Sequence, residues 1–322
     1  MLKQIGSGSG HLVSKPYRIL ALDGGGLRGI FTTAVLVEAE DAFGPAFIES
    51  FDLLVGTSTG GIIALGLASG RTCSEMLDFY RRVGPEVFRK PRVLRRFFRP
   101  KYSREALDRH LCEYFGQTAR LNDLLKPVCI TSYELVAGTT RVWKDDHSPE
   151  LRWGGDQLVW KVAASTSAAP TYFAPVQLGA ADSHVDGGVW GNNPAMVGIA
   201  EAIRYAQQDL RDLRLLSIGT TSTPLRVSSH ERAQRMGLRH WMSEGLGLIQ
   251  DSSSMAATNV ARFMLGDDRY LRLDSESARR VPLDDAVQSR PLQEWGHDVG
   301  RKNVDAIGRL LDLERKGQTA GL

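Results

Sequence analysis

The chain has 322 residues, 42% hydrophobic and 24% charged, which suits one large α/β domain with a substantial core. No run approaches the 18 or more apolar residues of a membrane span, so a lipid-active protein of this sequence would visit a membrane surface without crossing it. Three scattered cysteines, Cys73, Cys112 and Cys129, fit neither a disulfide framework nor a metal-ligand spacing, and a reducing cytosol is the default expectation. The net charge of +3 is unevenly spread. Residues 88–101 (FRKPRVLRRFFRPK) carry seven bases and no acid; outside them, 33 bases face 37 acids.

No signal peptide is visible at the start, where Gly6-Ser7-Gly8-Ser9-Gly10 reads as a flexible tail or cloning scar within residues 1–15. A single domain is expected over 16–322. Tyr17-Arg18-Ile19-Leu20-Ala21-Leu22 is an apolar strand, followed by Asp23-Gly24-Gly25-Gly26-Leu27-Arg28-Gly29 and a helix over about 30–43. The glycine run matches the dinucleotide-binding fingerprint, but that reading needs an acid at the end of a second strand. Glu38, Glu40 and Asp41 fall in or at the end of the helix instead. An oxyanion hole is the better reading, since consecutive glycines let backbone N–H groups turn toward a developing negative charge. Arg28 is a candidate to fix this loop or add positive potential.

Residues 51–65 (FDLLVGTSTGGIIAL) read as strand, sharp turn and helix, with Ser58 at the tip of Gly-x-Ser-x-Gly. Such a turn holds its serine in a strained conformation and needs small flanks, here Gly56, Gly60 and Gly61. The helix N-terminus directed at Ser58 favours negative charge there. A second helix is expected over 74–82. In the basic run that follows, Arg92, Arg95, Arg96 and Arg99 alternate with Phe97 and Phe98, a mixture suited to an anionic membrane interface or a phosphate-bearing ligand. A solvated loop with a few aromatics in the core is the plainer alternative. No zinc-finger or RNP motif is present, so a nucleic-acid polymer is not an expected partner.

Further on, the pattern predicts a helix over 102–115, strands over 128–133 and 139–143, and a helix over 156–169 between Trp153 and Trp160 that closes on Thr166-Ser167-Ala168-Ala169-Pro170. A short strand over 173–176 precedes His184-Val185-Asp186-Gly187-Gly188. Asp186, followed by two glycines, sits on a tight loop able to approach another loop closely. A helix opens at Pro194. A strand over 213–218 ends in Gly219-Thr220-Thr221, and a helical region over 231–263 is expected to break near Gly245 and Gly247. A late strand over 270–273 and an amphipathic helix over 304–313 complete the chain. Strand–helix alternation predicts a mostly parallel central sheet with helices on both faces, a three-layer α/β/α fold. The part beyond 221 is left open as lid, sensor or flank of the sheet.

In an open α/β sheet, loops at strand carboxyl ends gather along one edge. That edge would unite the glycine loop, the Ser58 elbow and Asp186. Serine needs a base. His230, His240 and His297 follow Asp186, but none sits in a small-residue turn after a strand. His184 shares a face with Asp186 if that segment is extended. A Ser58–Asp186 dyad fits the sequence better.

Taken together, Asp-Gly-Gly-Gly-x-Arg-Gly at 23–29, Gly-Thr-Ser-Thr-Gly at 56–60 and Asp-Gly-Gly at 186–188 resemble the patatin-like phospholipases over residues 17–220. So do Thr166 to Pro170 and Asn192-Asn193-Pro194. The resemblance implies that Ser58 is the nucleophile and Asp186 the base. It makes Gly24, Gly25 and Gly26 the oxyanion loop, with Arg28, Gly29, Gly56, Gly60, Gly187 and Gly188 in support. The implied reaction is lipid ester hydrolysis through an acyl-Ser58 intermediate, without a metal. The chain's size, the lack of a secretion signal and the segment 101–116 further resemble the patatin-like effectors of bacterial CBASS antiphage systems. That likeness implies activation by a cyclic oligonucleotide such as cyclic GMP-AMP, attack on membrane phospholipid at the inner face of the cell membrane, and a homo-oligomer on activation. A cytosolic lipase with an open site would damage its own cell unless gated. Rival readings are an ungated acylhydrolase, a non-catalytic lipid- or nucleotide-binding module, and a dinucleotide-dependent oxidoreductase.

Overall fold

The structure, a computed structural model, describes residues 15–89, 99–151, 154–277 and 281–317. The tail at 1–14 and most of the basic run, with Arg92, Arg95, Arg96, Phe97 and Phe98, lie outside these.

Strand β1 (Tyr17–Leu22) is the centre of the sheet. On one side it pairs in parallel with β2 (Leu53–Thr57), which pairs in parallel with β3 (Val128–Glu134); β4 (Thr139–Lys144) closes that edge antiparallel to β3. On the other side β1 pairs in parallel with β6 (Leu213–Ile218), and β6 with β7 (Tyr270–Leu273). The seventh strand, β5 (His184–Asp186), runs antiparallel to the far end of β3. The β1, β2 and β6 strands are almost continuously apolar because both their faces are covered. Leu20, Leu22, Leu54, Leu216 and Ile218 face one core, and Ile19, Ala21, Leu53, Val55, Leu213 and Leu215 the other.

The first core is roofed by α1 (Gly29–Phe43), α3 (Thr59–Ala68), α4 (Cys73–Val87), α5 (Glu105–Phe115), α6 (Val159–Thr166) and α10 (Ser289–Leu311). The second is covered by α7 (Ala195–Arg204) and α9 (Leu238–Leu265). Two short helices, α2 (Ala46–Glu49) and α8 (His230–Gln234), complete the set among the described residues. The fold is therefore the three-layer α/β/α sandwich the alternation predicts. No described helix is long and apolar enough to cross a membrane.

Several elements depart from the sequence pattern. Residues 173–176 form no strand: only Val176 makes a bridge, to His184, and Pro175 lacks the N–H a ladder requires. The α6 helix is shorter than expected and contains Trp160, which does not flank it. The break expected at Gly245 and Gly247 comes instead at residues 235–237, and α9 then runs unbroken past both glycines. The last helix starts at Ser289, 15 residues before position 304. Gly296 and Gly300 disguise its first half, since they look like helix breakers. They are in fact where α10 packs on α1: a Cβ on Gly296 would meet the Phe31 carbonyl oxygen at 2.4 Å, and one on Gly300 the Glu38 Cβ at 2.8 Å. Thus the segment beyond 221 supplies an edge strand, a helix of the first core and a helix of the second.

This packing reverses an ordinary helix preference. Glycine to alanine in an open helix gains up to about 1 kcal/mol, and Gly245→Ala, with nothing among the described residues within 4 Å of its added methyl, is expected to follow that rule. Gly296→Ala is expected to lose about 1–3 kcal/mol through overpacking. Urea unfolding of the two variants checks the opposite signs.

Candidate active site

Ser58 occupies the turn between β2 and α3 with φ 54° and ψ −121°, a conformation that costs a non-glycine residue roughly 1–3 kcal/mol and persists only where surroundings impose it. Here the surroundings are backbone. A Cβ on Gly60 would stand 2.1 Å from the Leu22 carbonyl oxygen, and one on Gly56 2.4 Å from the Gly60 carbonyl oxygen. The elbow is thus pressed against the end of β1, and only glycine permits that approach. Ser58 N–H is held by Thr166 Oγ1 at 2.8 Å, so the small-residue run at the end of α6 sets the elbow's rotation. Thr57 is braced by its hydroxyl against Thr131 Oγ1 at 2.7 Å and the Gly191 carbonyl at 2.6 Å.

Asp186 arrives from the opposite direction. Thr57 lies opposite Thr131 on β3 and Asp186 opposite the next residue, Ser132, while β4 occupies the other side of β3. Strand β5 therefore continues the lane of β2 head-on, and its last residue meets the first residue after β2. The carboxyl-end rule accounts for the glycine loop and the elbow; Asp186 reaches the same edge on an antiparallel strand. Its carboxylate is buried, is hydrogen-bonded to Ser58 and accepts the Gly188 N–H at 2.7 Å. Burial pushes it up to about 6, with the Ser58 and Gly188 hydrogen bonds opposing. Gly187 lies against Thr131, where a Cβ would be 2.1 Å from its Oγ1.

In the glycine loop, Gly24 N–H is committed to the Asn192 carbonyl at 3.0 Å, and Leu27 N–H to the Leu283 carbonyl at 2.8 Å. The N–H groups of Gly25 and Gly26 have no partner among the described residues, so the expected donor trio narrows to these two. Gly26, at φ +57°, turns the loop, and Gly29 starts α1 against Thr59. Arg28 pins the loop through the Gly25 carbonyl at 3.3 Å and the Thr221 carbonyl at 2.9 Å.

The histidines stand apart. His184 is buried beside Ser132 (3.4 Å) and Asp182 (3.2 Å), His297 binds Glu38 at 2.8 Å, and His230 is an exposed residue at the start of α8. The His240 side chain is outside the described residues. Arg99 is exposed and lines a shallow groove with Leu135 and Phe173.

One pair of functional interest escapes sequence reasoning. Asp23, first residue of the glycine motif, is buried in a bidentate ion pair with Arg272 of β7 at 2.6 and 2.9 Å, across 249 residues of chain. Arg272 also binds Asp274 at 2.8 Å and Ser217 at 2.7 Å. Burial alone would pull Arg272 down; the two carboxylates more than reverse that, and it stays protonated. The pair ties the loop after β1 to the far edge of the sheet.

Ser58, Asp186, Gly25 and Gly26 open into a cavity of about 780 Å³ whose walls include Ile62, Phe79, Val83, Val87, Leu107 and Phe173. Its walls are apolar and its polar groups converge at one end, as a site for an acyl chain requires.

A serine on a strained strand–helix elbow, facing a buried carboxylate at the end of an apolar cavity, is the arrangement of a serine hydrolase acting on acyl chains. A family profile described as patatin-like phospholipase matches residues 20–199. A cGAMP-activated phospholipase of Vibrio cholerae is 34% identical over 84% of this chain and 86% of its own length. One of Escherichia coli is 31% identical over 93% and 90%. Patatin-T5 of Solanum tuberosum is 26% identical over 89% and 84%. Among solved structures, VipD from Legionella pneumophila shares the fold with a TM-score of 0.50 and 12% identity, over 91% of this chain and 67% of its own. The chain belongs to the patatin-like phospholipase family and is a lipid acyl hydrolase.

The raised Asp186 has a stability consequence. The folded protein holds this proton up to about pH 6, whereas the unfolded chain releases it near 4. Stability attributable to the group is thus lost as pH rises through that window. Asp186→Asn is expected to be more stable than the wild type at pH 8, by at most about 3 kcal/mol, with the difference fading by pH 4. Denaturant unfolding at both pH values measures it; an equally stable or weaker variant at pH 8 would contradict the buried carboxylate.

Proposed function

We propose that the chain hydrolyses membrane phospholipid esters with a Ser58–Asp186 dyad and that a cyclic dinucleotide, cGAMP, switches it on. The carrying observation is the buried Asp186 carboxylate bonded to Ser58 at the mouth of an acyl-sized cavity. Ser58 Oγ attacks the ester carbonyl carbon while its proton passes to Asp186. The resulting oxyanion is held by the Gly25 and Gly26 N–H groups and favoured by the N-terminus of α3. The ester C–O bond breaks, and the lysophospholipid leaves with the proton from Asp186. Water then attacks the acyl-Ser58 carbonyl, giving a proton to Asp186, and the fatty acid departs as Ser58 recovers that proton.

Activation by cGAMP is supported by the names of relatives that align over most of both chains. The physical case is independent: an intracellular enzyme of this chemistry endangers its own membrane, and a signal-gated one does so only on demand. The role that follows is antiphage defence by degradation of the cell's own membrane from its inner face, with assembly into a homo-oligomer on activation.

Hydrolysis of a fluorogenic phospholipid is expected with cGAMP and not without it; equal rates in both would identify an ungated acylhydrolase. Ser58→Ala and Asp186→Asn, each still folded, are expected to lose about 10³-fold or more in kcat. Substantial turnover by folded Asp186→Asn would return the base assignment to the histidines. For the wild type, kcat/KM is expected to fall about tenfold per pH unit below about 6 and to level off above it.

A further inference from the structure

A second cavity, about 870 Å³, lies on the other side of the glycine loop from the acyl cavity. Its walls are the loops after β1, β6 and β7 and one side of α9, and Arg28 and Asn192 line both cavities. The sheet order explains its place. From β1 the chain builds outward through β2, β3 and β4, then returns to the opposite side of β1 to add β6 and β7. The order reverses between β1 and β6, and open α/β sheets bind ligands in the crevice at that reversal, outside the strand carboxyl ends. Ser58 lies on the β2 side of β1, so the acyl cavity leaves the β1–β6 crevice unused.

The crevice has the chemistry of a binding site. Thr220, Thr221, Ser222, Ser254, Thr258 and Ser275 bring hydroxyls to it, and Asn259 an amide. Thr221 is 4% exposed, its Oγ1 is buried without a partner among the described residues, and its φ is +74°. A buried hydroxyl without a bond is destabilising, and a β-branched residue at positive φ adds strain. Both are explained by a ligand that bonds the hydroxyl. Of the lining cations, Arg272 is neutralised by Asp23 and Asp274 and Arg28 is bonded to the Gly25 and Thr221 carbonyls, while Asp251 and Glu276 add acid, so the cavity suits a neutral hydrogen-bonding group and does not clamp an anion. Positive charge lies next door. Pro224 and Glu276 are shared with an outer groove lined by Arg226, Arg232 and Arg235, all exposed, and by Glu231. Arg226 is paired with Glu276 at 2.6 Å, and Arg232 and Arg235 supply the positive charge.

We infer that this crevice is the activator site: a purine base of a cyclic dinucleotide enters the β1–β6 cavity, and its phosphodiesters lie along the arginine groove. The inference rests on the nucleotide-gated reading above. Its route to the active site is short. The Thr221 carbonyl accepts Arg28, whose guanidinium also holds the Gly25 carbonyl. Thr220 Oγ1 donates to the Gly24 carbonyl at 2.9 Å, and Thr221 N–H donates to Asp274 at 3.1 Å. A ligand that repositions residues 220–222 therefore moves the loop carrying the Gly25 and Gly26 donors, and it acts by favouring the loop position that suits the transition state.

Two variants of the full chain test it. Asn259→Trp fills the cavity from an exposed position on α9, and Arg232→Glu reverses charge in the groove. Each is expected to raise the Kd for cGAMP at least tenfold in calorimetry, with an unchanged unfolding midpoint, and to shift the activation curve to higher cGAMP by the same factor. Hydrogen exchange on Ser58→Ala adds a readout independent of the two variants: cGAMP is expected to protect residues 219–223 and 274–277. If the wild type binds and responds to cGAMP while both variants match it and protection falls elsewhere, the site is wrong and the gating stands. If the wild type neither binds nor responds to cGAMP, both fail.

Discussion

The contact on which the active site depends is backbone against backbone: the elbow after β2 pressed onto the end of β1. Gly60 sits where a methyl would fall 2.1 Å from the Leu22 carbonyl oxygen, and Gly56 where one would strike Gly60 itself. The approach forces Ser58 to φ 54° and fixes where α3 begins. It also brings the elbow within reach of the glycine loop that continues from Leu22. Strain of this kind survives only if the frame does not yield. Here the frame is the centre of a sheet covered on both faces, its strands registered in parallel on either side of β1.

The motifs that carry this contact are local, and local signals were readable. Glycines around a serine, after an apolar strand and before an apolar helix, describe the elbow almost completely. The same holds for β1, β6 and β7, whose apolar runs lie where the pattern puts them. What the pattern missed depends on partners distant in sequence. Gly296 and Gly300 read as interruptions until α1 is packed against them. Asp23 was legible as part of a motif, but its ion pair with Arg272 was not, because nothing in either segment refers to the other. The approach of Asp186 was misread for a related reason. The two glycines after it mark a tight turn, but that Asp186 ends a three-residue strand, and that strand's direction, are set by the lane left open beside β3.

Electrostatics divides the two sides of the glycine loop. On the acyl side, a carboxylate is kept in apolar surroundings with only a hydroxyl and one N–H to stabilise its charge. That raises its proton affinity toward working pH, as the proposed role of general base requires, and lowers the stability of the folded chain at neutral pH. On the far side, the buried charges are matched: Arg272 stands between two carboxylates and a serine hydroxyl. Removing Arg272 would leave Asp23 buried and unpaired, a loss of about 3–5 kcal/mol. The arrangement therefore resists change at the Asp23 end of the loop, while the Gly25 and Gly26 N–H groups have no partner among the described residues.

A loop anchored by a buried ion pair at one end and by hydrogen bonds beyond it is suited to control by small displacements. Asp23 keeps the proposed oxyanion donors in register with β1, and beyond it the loop is held by hydrogen bonds: Thr220 to Gly24, Arg28 to Gly25 and the Leu27 N–H to Leu283. A shift of a fraction of an ångström in an oxyanion donor is worth orders of magnitude in rate, since removing one such donor costs about 10²–10³-fold. If the enzyme is gated as proposed, neither closing the acyl cavity nor moving Ser58 is required to silence it. Under the proposed gating, displacing the Gly25 and Gly26 N–H groups is sufficient, and Thr220 and Thr221 are in direct contact with the loop that carries them.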